Sequence, residues 1–267
     1  RDYSGVKVFK EASVYPVVFQ VSNYTKDESE VILTKMKDIE DVELVNKIPH
    51  SLFYADVYWD RYFIEPKFLE LIVKITNNKK LVEINNQILG SATVNEAYQL
   101  KEIVHEIEDI KDNNFKKLIN SGTIDPYISL WGIKKTQYIK SSYNKPVVDS
   151  DSLLKLLPKR FAQADSTKLI IAGMSKRLEV FLDKGEYIAG KSTTIILDNK
   201  KIDIRYLLAI LNSKLISYWY QIYFKSLSLA GGYLRISNNE IKKIPIAIAD
   251  NSSKNSILNL VDQITDG

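Results

Sequence analysis

From residue 115 to about residue 202 the texture of the sequence is mainly β, whereas helical periodicity dominates the segments on either side. Phe115–Ile119, Tyr138-Ile139, Lys168–Ala172, Leu178–Leu182 and Thr193–Leu197 are predicted strands, because they are rich in β-branched, aliphatic and aromatic residues. One helix, roughly Ser152 to Ala162, interrupts them. Gly173-Met174-Ser175-Lys176-Arg177 is a predicted hairpin tip carrying two cations. The expected class is α+β, a β-rich region with flanking helices and a C-terminal helical segment. The chain divides into four stretches: 1–23, two short β runs; 24–114, a helical and mixed lead-in; 115–202, the β-rich region; 203–267, helical.

The first stretch holds Val6–Phe9 and Val14–Val21, too little sheet to stand alone, so both are expected to join strands outside this chain. In the second, Glu30–Lys37 is a short helical candidate and Val42–Ile48 is extended. Pro66–Ile75 is helical with Pro in its first turn, and Lys80–Ile84 is a further candidate strand. Thr93-Val94-Asn95-Glu96 spells a capping box ahead of a helix from Ala97 to about Ile110. Asp203 caps a long helix to about Phe224. Along it Leu207, Leu208, Leu211, Leu215, Trp219 and Ile222 keep helical spacing and are expected in the core. Gly231-Gly232 breaks the chain before a last amphipathic helix, Asn251–Thr265.

Composition removes several classes. With 45% hydrophobic and 26% charged residues, wholesale disorder is excluded. No run of about 18 apolar residues exists to span a membrane. The absence of cysteine removes disulfide scaffolds, iron–sulfur clusters, thiol nucleophiles and the usual structural zinc sites. His50 and His105 are far apart, so a histidine metal or triad site is poorly supplied, and neither catalytic nor metal-ligating residues are assigned. The chain opens at Arg1, with no initiator Met and no signal peptide, and reads as an excised piece of a longer one. Charge is uneven. Residues 1–115 carry 14 Lys and Arg against 20 Asp and Glu, residues 116–235 carry 20 against 9, and residues 236–267 carry 3 against 4. Positive charge concentrated over the β-rich region is what polyanion binding requires; the competing reading is a merely solvated, Lys-rich surface.

Three motifs bear on chemistry. Gly185-Glu186-Tyr187-Ile188-Ala189-Gly190-Lys191-Ser192 matches the P-loop pattern, in which backbone amides cradle phosphates, Lys191 reaches the β/γ oxygens and Ser192 binds magnesium. The next residues, however, are the β-branched run Thr193–Leu197 rather than a helix, so a strand edge is expected instead. Asp125-Pro126-Tyr127 has the flavour of an amino-group methyltransferase motif with one Pro missing, and is read as a turn. Glu65-Pro66-Lys67, with Asp56 and Asp60 before it, has the local spelling of a magnesium nuclease. Pro between the two breaks the strand that they should share.

Phe9-Lys10-Glu11-Ala12-Ser13-Val14-Tyr15-Pro16-Val17-Val18 resembles the closing strands of an adenine-specific DNA methyltransferase core. Ser121–Tyr127 with Trp131-Gly132, Lys168–Met174 and Ala189–Thr194 resemble the target-recognition region of single-chain restriction–modification enzymes. Tyr206–Lys214, Gly231–Ile236 and Ile244–Ile246 are similar to the TaqI-like C-terminal specificity domain. Residues 24–114 match loosely, through Ala92–Tyr98. The resemblance implies a domain that grips duplex DNA, reads a short sequence and presents an adenine for methylation at its amino group. It further implies a methyltransferase core in cis that binds S-adenosylmethionine, of which 1–23 is a remnant, and in type IIG enzymes a nuclease domain at the other end. No cofactor is then expected in this chain, and the setting is prokaryotic and cytoplasmic.

On that reading Ser175, Lys176 and Arg177 at the hairpin tip, and Lys191, Ser192 and Thr193 at the start of a strand, are candidate base readers in the major groove. Lys134, Lys135 and Arg235 are candidate phosphate clamps. For Arg177 the rival is a structural ion pair with Glu179 or Asp183. Two other functions stay open: a P-loop nucleotide-binding protein, and a specificity subunit acting mainly as a protein-docking module.

Overall fold

The computed structural model describes residues 1–3, 6, 8, 16–20, 30–38, 40–51, 59–108 and 114–265. The chain forms two compact units, Arg1–Asn77 with Trp219–Ala230, and Asn78–Tyr218 with Gly231–Gly267. Together they are α+β.

In the first unit Glu30–Met36 and Val42–Pro49 form an antiparallel hairpin, with a register shift between Leu33 and Thr34. The helix expected at Glu30–Lys37 is therefore a strand. The bulge explains the misreading, since it puts Leu33 and Met36 both in the interior and so mimics the i, i+3 spacing of a helix. Pro66–Thr76 is helical as predicted, and the Trp219 indole N–H donates to Thr76 Oγ1 at 2.9 Å. Most of the two early β runs lies outside the described residues. Among those described, Asp2 bridges Val17 and Lys35.

The second unit holds two four-stranded sheets. One runs Tyr187–Ala189, Phe115–Ile119, Pro146–Asp149, Val104–Glu106; its first pair is parallel and the rest antiparallel. The other is antiparallel throughout, in the order Val180–Asp183, Lys168–Ala172, Thr193–Leu197, Ile88–Gly90. Strand alternation explains how the two share a core. Leu118 and Ile188 turn to one side and pack with Leu100, Leu153 and Leu157 from helices. Their neighbours Ile119 and Ala189 turn to the other side and meet Ile170, Phe181 and Ile195 of the second sheet. Leu169 and Ile171 are also fully buried, because helix Ile204–Asn212 covers the far face. Asn212 finishes the edge strand: its side chain accepts from Val180 N–H at 3.0 Å and donates to Val180 C=O at 2.8 Å.

Four further expectations change in this unit. Lys80–Ile84 is not a strand. Lys79–Lys80 pairs briefly with Pro245–Ile246, and Leu81–Ile84 is a helical turn whose Leu81 N–H donates to Ile244 C=O. The capped helix is Val94–Ile103, because Val104–Glu106 is drawn into the first sheet instead of extending it to Ile110. The interrupting helix is two, Ser150–Leu156 and Pro158–Ala164, since Pro158 supplies no N–H and restricts Leu157 before it. The long helix also divides, at Ser213, whose hydroxyl accepts from Ile216 N–H and opens Lys214–Tyr223. The break leaves the predicted core residue Leu215 49% exposed, while Leu207, Leu211 and Trp219 are buried.

The capping box forms as spelled: Thr93 Oγ1 accepts from Glu96 N–H, and Glu96 Oε2 accepts from Thr93 N–H at 2.8 Å. The same oxygen takes a 2.7 Å bond from the Arg160 guanidinium. That bond, with help from Thr93, holds the Glu96 carboxyl down at about 2 against an ordinary 4.5. A depressed carboxylate contributes its stability in full above pH 4.5 and loses it as pH falls toward about 2. Glu96→Gln should therefore cost about 1–3 kcal/mol at neutral pH and flatten the acid limb of stability over that window. Urea unfolding from pH 2 to 7 checks it, and parallel acid limbs would refute it.

Candidate nucleic-acid interface

The stretch with P-loop spelling holds one strand, Tyr187–Ala189, between a bend and a turn, and most of its amides are already used. Asp183 Oδ1 accepts from the N–H groups of Gly185 (3.0 Å) and Glu186 (2.8 Å), and Oδ2 from that of Tyr187 (3.3 Å). Gly190 N–H donates to Ile119 C=O at 2.7 Å and Ser192 N–H to Asn120 Oδ1 at 3.3 Å. Tyr187–Ala189 is a strand, and Thr193–Leu197 comes after it as another. A phosphate cradle needs converging unpaired amides ahead of a helix. These residues do not fit one, which removes the basis of the nucleotide-binding alternative.

Asp183 has a second partner. Its Oδ2 accepts a hydrogen bond from Lys168, and both side chains are 1% exposed. Lys168 also donates to the carbonyls of Ala164 (2.9 Å) and Ser166 (3.2 Å), satisfying all three protons. Burial pushes the Lys168 ammonium below its usual range, while the Asp183 charge opposes that shift. This knot fixes the strand pair Lys168–Ala172 and Val180–Asp183, whose connection carries the cations.

The connection is anchored at Gly173. Its N–H donates to Ser192 C=O at 2.9 Å and to Ser121 Oγ at 3.0 Å, and its C=O accepts from Ile236 N–H at 3.0 Å. A Cβ at this position would lie 2.3 Å from the Ser192 oxygen, so only glycine allows three segments to meet here. Beyond it, Met174 and Ser175 pair with Arg235 and Leu234. The tip is thus not free-standing: it is stitched to the segment after Gly231-Gly232.

The predicted residues separate cleanly at this junction. Lys176, Arg177, Lys191, Ser192 and Arg235 are exposed around it. Ser175 and Thr193 are buried. Ser175 hydroxyl donates to Arg177 C=O, and Thr193 hydroxyl to Gly190 C=O at 2.7 Å, so both shape backbone and neither faces outward. Leu178, fully buried, donates its N–H to Ser217 Oγ. A buried residue on each side forces Lys176 and Arg177 out.

Lys134 and Lys135 lie on the turn after Trp131-Gly132, both exposed. Glu179 is half-buried, its carboxyl raised by burial and by Asp125 and drawn back by Arg177 and Lys134. Arg177 therefore has Glu179 for its electrostatic neighbour, whereas Asp183 is held by Lys168. Lys135 acts instead on Glu106. Asp125-Pro126-Tyr127 is a tight hairpin between Ile124–Asp125 and Ile128–Ser129, with Tyr127 at φ 70°. That geometry is that of a turn. Glu65 precedes helix Pro66–Thr76 and pairs with Lys67 at 2.8 Å on the surface; Asp56 is outside the described residues.

Reading the sequence missed Ser121 and Asn120, which tie the junction, and Tyr233, whose ring centroid lies 5.6 Å from the Lys176 ammonium. Ser121-Gly122 and Gly231-Gly232 entered as chain breaks and within stretches that resemble the family, with no role given to Ser121, Asn120 or Tyr233. Their partners are 52 residues or more away, beyond any periodicity signal.

The family model of the TaqI-like C-terminal specificity domain matches residues 55–246. A similar solved structure is that of the Type IIL restriction-modification enzyme MmeI in complex with DNA, with a TM-score of 0.42 and 12% identity. The match covers 100% of this chain and 37% of that one, so this chain spans well under half of its length. No curated protein sequence matches.

Proposed function

This chain belongs to the TaqI-like C-terminal specificity domain family, and from that we propose that it is the sequence-specific DNA-recognition domain of a restriction–modification enzyme with N6-adenine methyltransferase activity. It holds duplex DNA for a methyltransferase core in cis. That core binds S-adenosylmethionine and carries out methyl transfer, and an endonuclease, where the parent has one, is a further part. A prokaryotic cytoplasm is the setting that goes with this role. Among the described residues no helix is long and apolar enough to cross a membrane.

The observation that carries the reading is the set of exposed cations gathered at the Gly173 junction, inside the family-matched residues. Lys176, Arg177 and Lys191 are the proposed base readers, with Ser192 beside them. Lys134 and Arg235 are the proposed phosphate clamps, and Lys135 is a more distant one. Each neutralised phosphate contributes about 0.9 to the slope of log affinity against log salt. With the three proposed clamps each neutralising one phosphate, affinity of the chain for duplex DNA is expected to fall by about forty-fold between roughly 50 and 200 mM salt. Sequence discrimination by the chain alone should be poor, because the core that encloses the other side of the duplex is missing from the assay. An affinity flat across salt would overturn the assignment. Capture of a partner protein with no DNA affinity would favour the docking module instead.

A further inference from the structure

Two successive glycines in the left-handed region, Gly231 at φ 78° and Gly232 at φ 76°, reverse the chain just before Tyr233. A Cβ on Gly231 would make only ordinary contact, 3.6 Å from the Tyr233 ring, and one on Gly232 would meet nothing within 4 Å. The dihedrals, not crowding, demand glycine here. The reversal brings Leu234–Arg235 antiparallel to Met174–Ser175. Leu234 is buried, but Tyr233 stays 43% exposed and sets its ring 5.6 Å from the Lys176 ammonium. Lys176 is itself exposed.

An ammonium seated on a ring face keeps donors directed away from the ring. A lysine already restrained in this way loses less rotamer freedom when it engages a ligand. Resting on the DNA-recognition reading above, we propose that Tyr233 is a positioning residue for DNA binding, its ring holding the Lys176 ammonium at the Gly173 junction. The hydroxyl has no part in this, so the ring alone should suffice.

The test is a double-mutant cycle in the 267-residue chain, read as affinity for a short duplex at fixed salt and as the salt slope. Tyr233→Leu should weaken binding about two- to five-fold with its salt slope unchanged, because no phosphate contact is lost. Tyr233→Phe should bind like the parent sequence. In a Lys176→Ala background, Tyr233→Leu should add nothing. A second readout, independent of how the Leu variant folds, is the NMR shift of the Lys176 ε-methylene. The ring should move it upfield in the natural protein and in Tyr233→Phe alike. An unshifted methylene overturns the proposal, as does a Phe variant as impaired as Leu, or a Tyr233→Leu loss that persists without Lys176. If the chain binds DNA but Lys176→Ala is silent, this proposal falls and the DNA-recognition reading stands. If the chain binds no DNA at all, both fall.

Discussion

Asp183→Ala is expected to destabilise the chain by about 3–5 kcal/mol, the range for removing one partner of a buried ion pair. The substitution strands the Lys168 ammonium, 1% exposed, with two carbonyls and no counter-charge. It also unpairs the amides of Gly185, Glu186 and Tyr187. Two companions separate these contributions. Asp183→Asn keeps an acceptor for the amides but not the charge, and should fall between the natural protein and Asp183→Ala. Pairing Lys168→Met with Asp183→Ala removes the stranded charge and should recover part of the loss, leaving the unpaired amides as the remainder. Denaturant unfolding of the three variants measures this. An Asp183→Ala loss below about 1 kcal/mol, the scale of an exposed pair, would show that the pair is not buried as described.

In the parent enzyme proposed above, Lys176→Ala, Arg177→Ala and Lys191→Ala should each relax specificity at single base positions if they read bases as proposed. A bidentate base contact is worth about 1–3 kcal/mol of discrimination, whereas losing a phosphate contact weakens every sequence alike and lowers the salt slope by about one. Lys134→Ala and Arg235→Ala should behave in the second way. The geometry behind the division is local. Lys176 and Arg177 are pushed outward between buried Ser175 and Leu178, and Lys191 lies in the turn that Ser192 ties to Gly173, ahead of strand Thr193–Leu197. Lys134 stands on the turn after Trp131-Gly132, and Arg235 lies in the paired segment opposite Met174. Binding of each variant to the recognised site and to all its single-base changes decides between the roles. Uniform losses for all three readers would mean that this connection does not read sequence. Ser175→Ala and Thr193→Ala, by contrast, should act through stability, since their hydroxyls bond to backbone.

Much of the local structure was legible because its cause is local. Thr93 and Glu96 satisfy each other's backbone three residues apart, and Asp203 accepts from Arg205 N–H at the start of its helix. The aliphatic strands Lys168–Ala172 and Thr193–Leu197 announce themselves by composition, and both are central in their sheet. The α+β class came from those elements. Two of the misreadings have a non-local origin. Glu30–Met36 took helical spacing from a bulge that exists only in its pairing with Val42–Pro49. Val104–Glu106 left its helix for a strand partner some forty residues on.

What the sequence determined by itself was the inventory: no thiol chemistry, positive charge concentrated between residues 116 and 235, and P-loop letters that run into a strand. It also supplied most of the exposed cations that form the candidate interface. Only the tertiary structure decided which of them act together. Gly173 admits Ser121, Ser192 and Ile236 to one point because it lacks a Cβ, and that convergence turns separate lysines and arginines into one surface. It also turned Ser175 and Thr193 inward, where their hydroxyls donate to the backbone carbonyls of Arg177 and Gly190, contacts that exist only once the strands are packed.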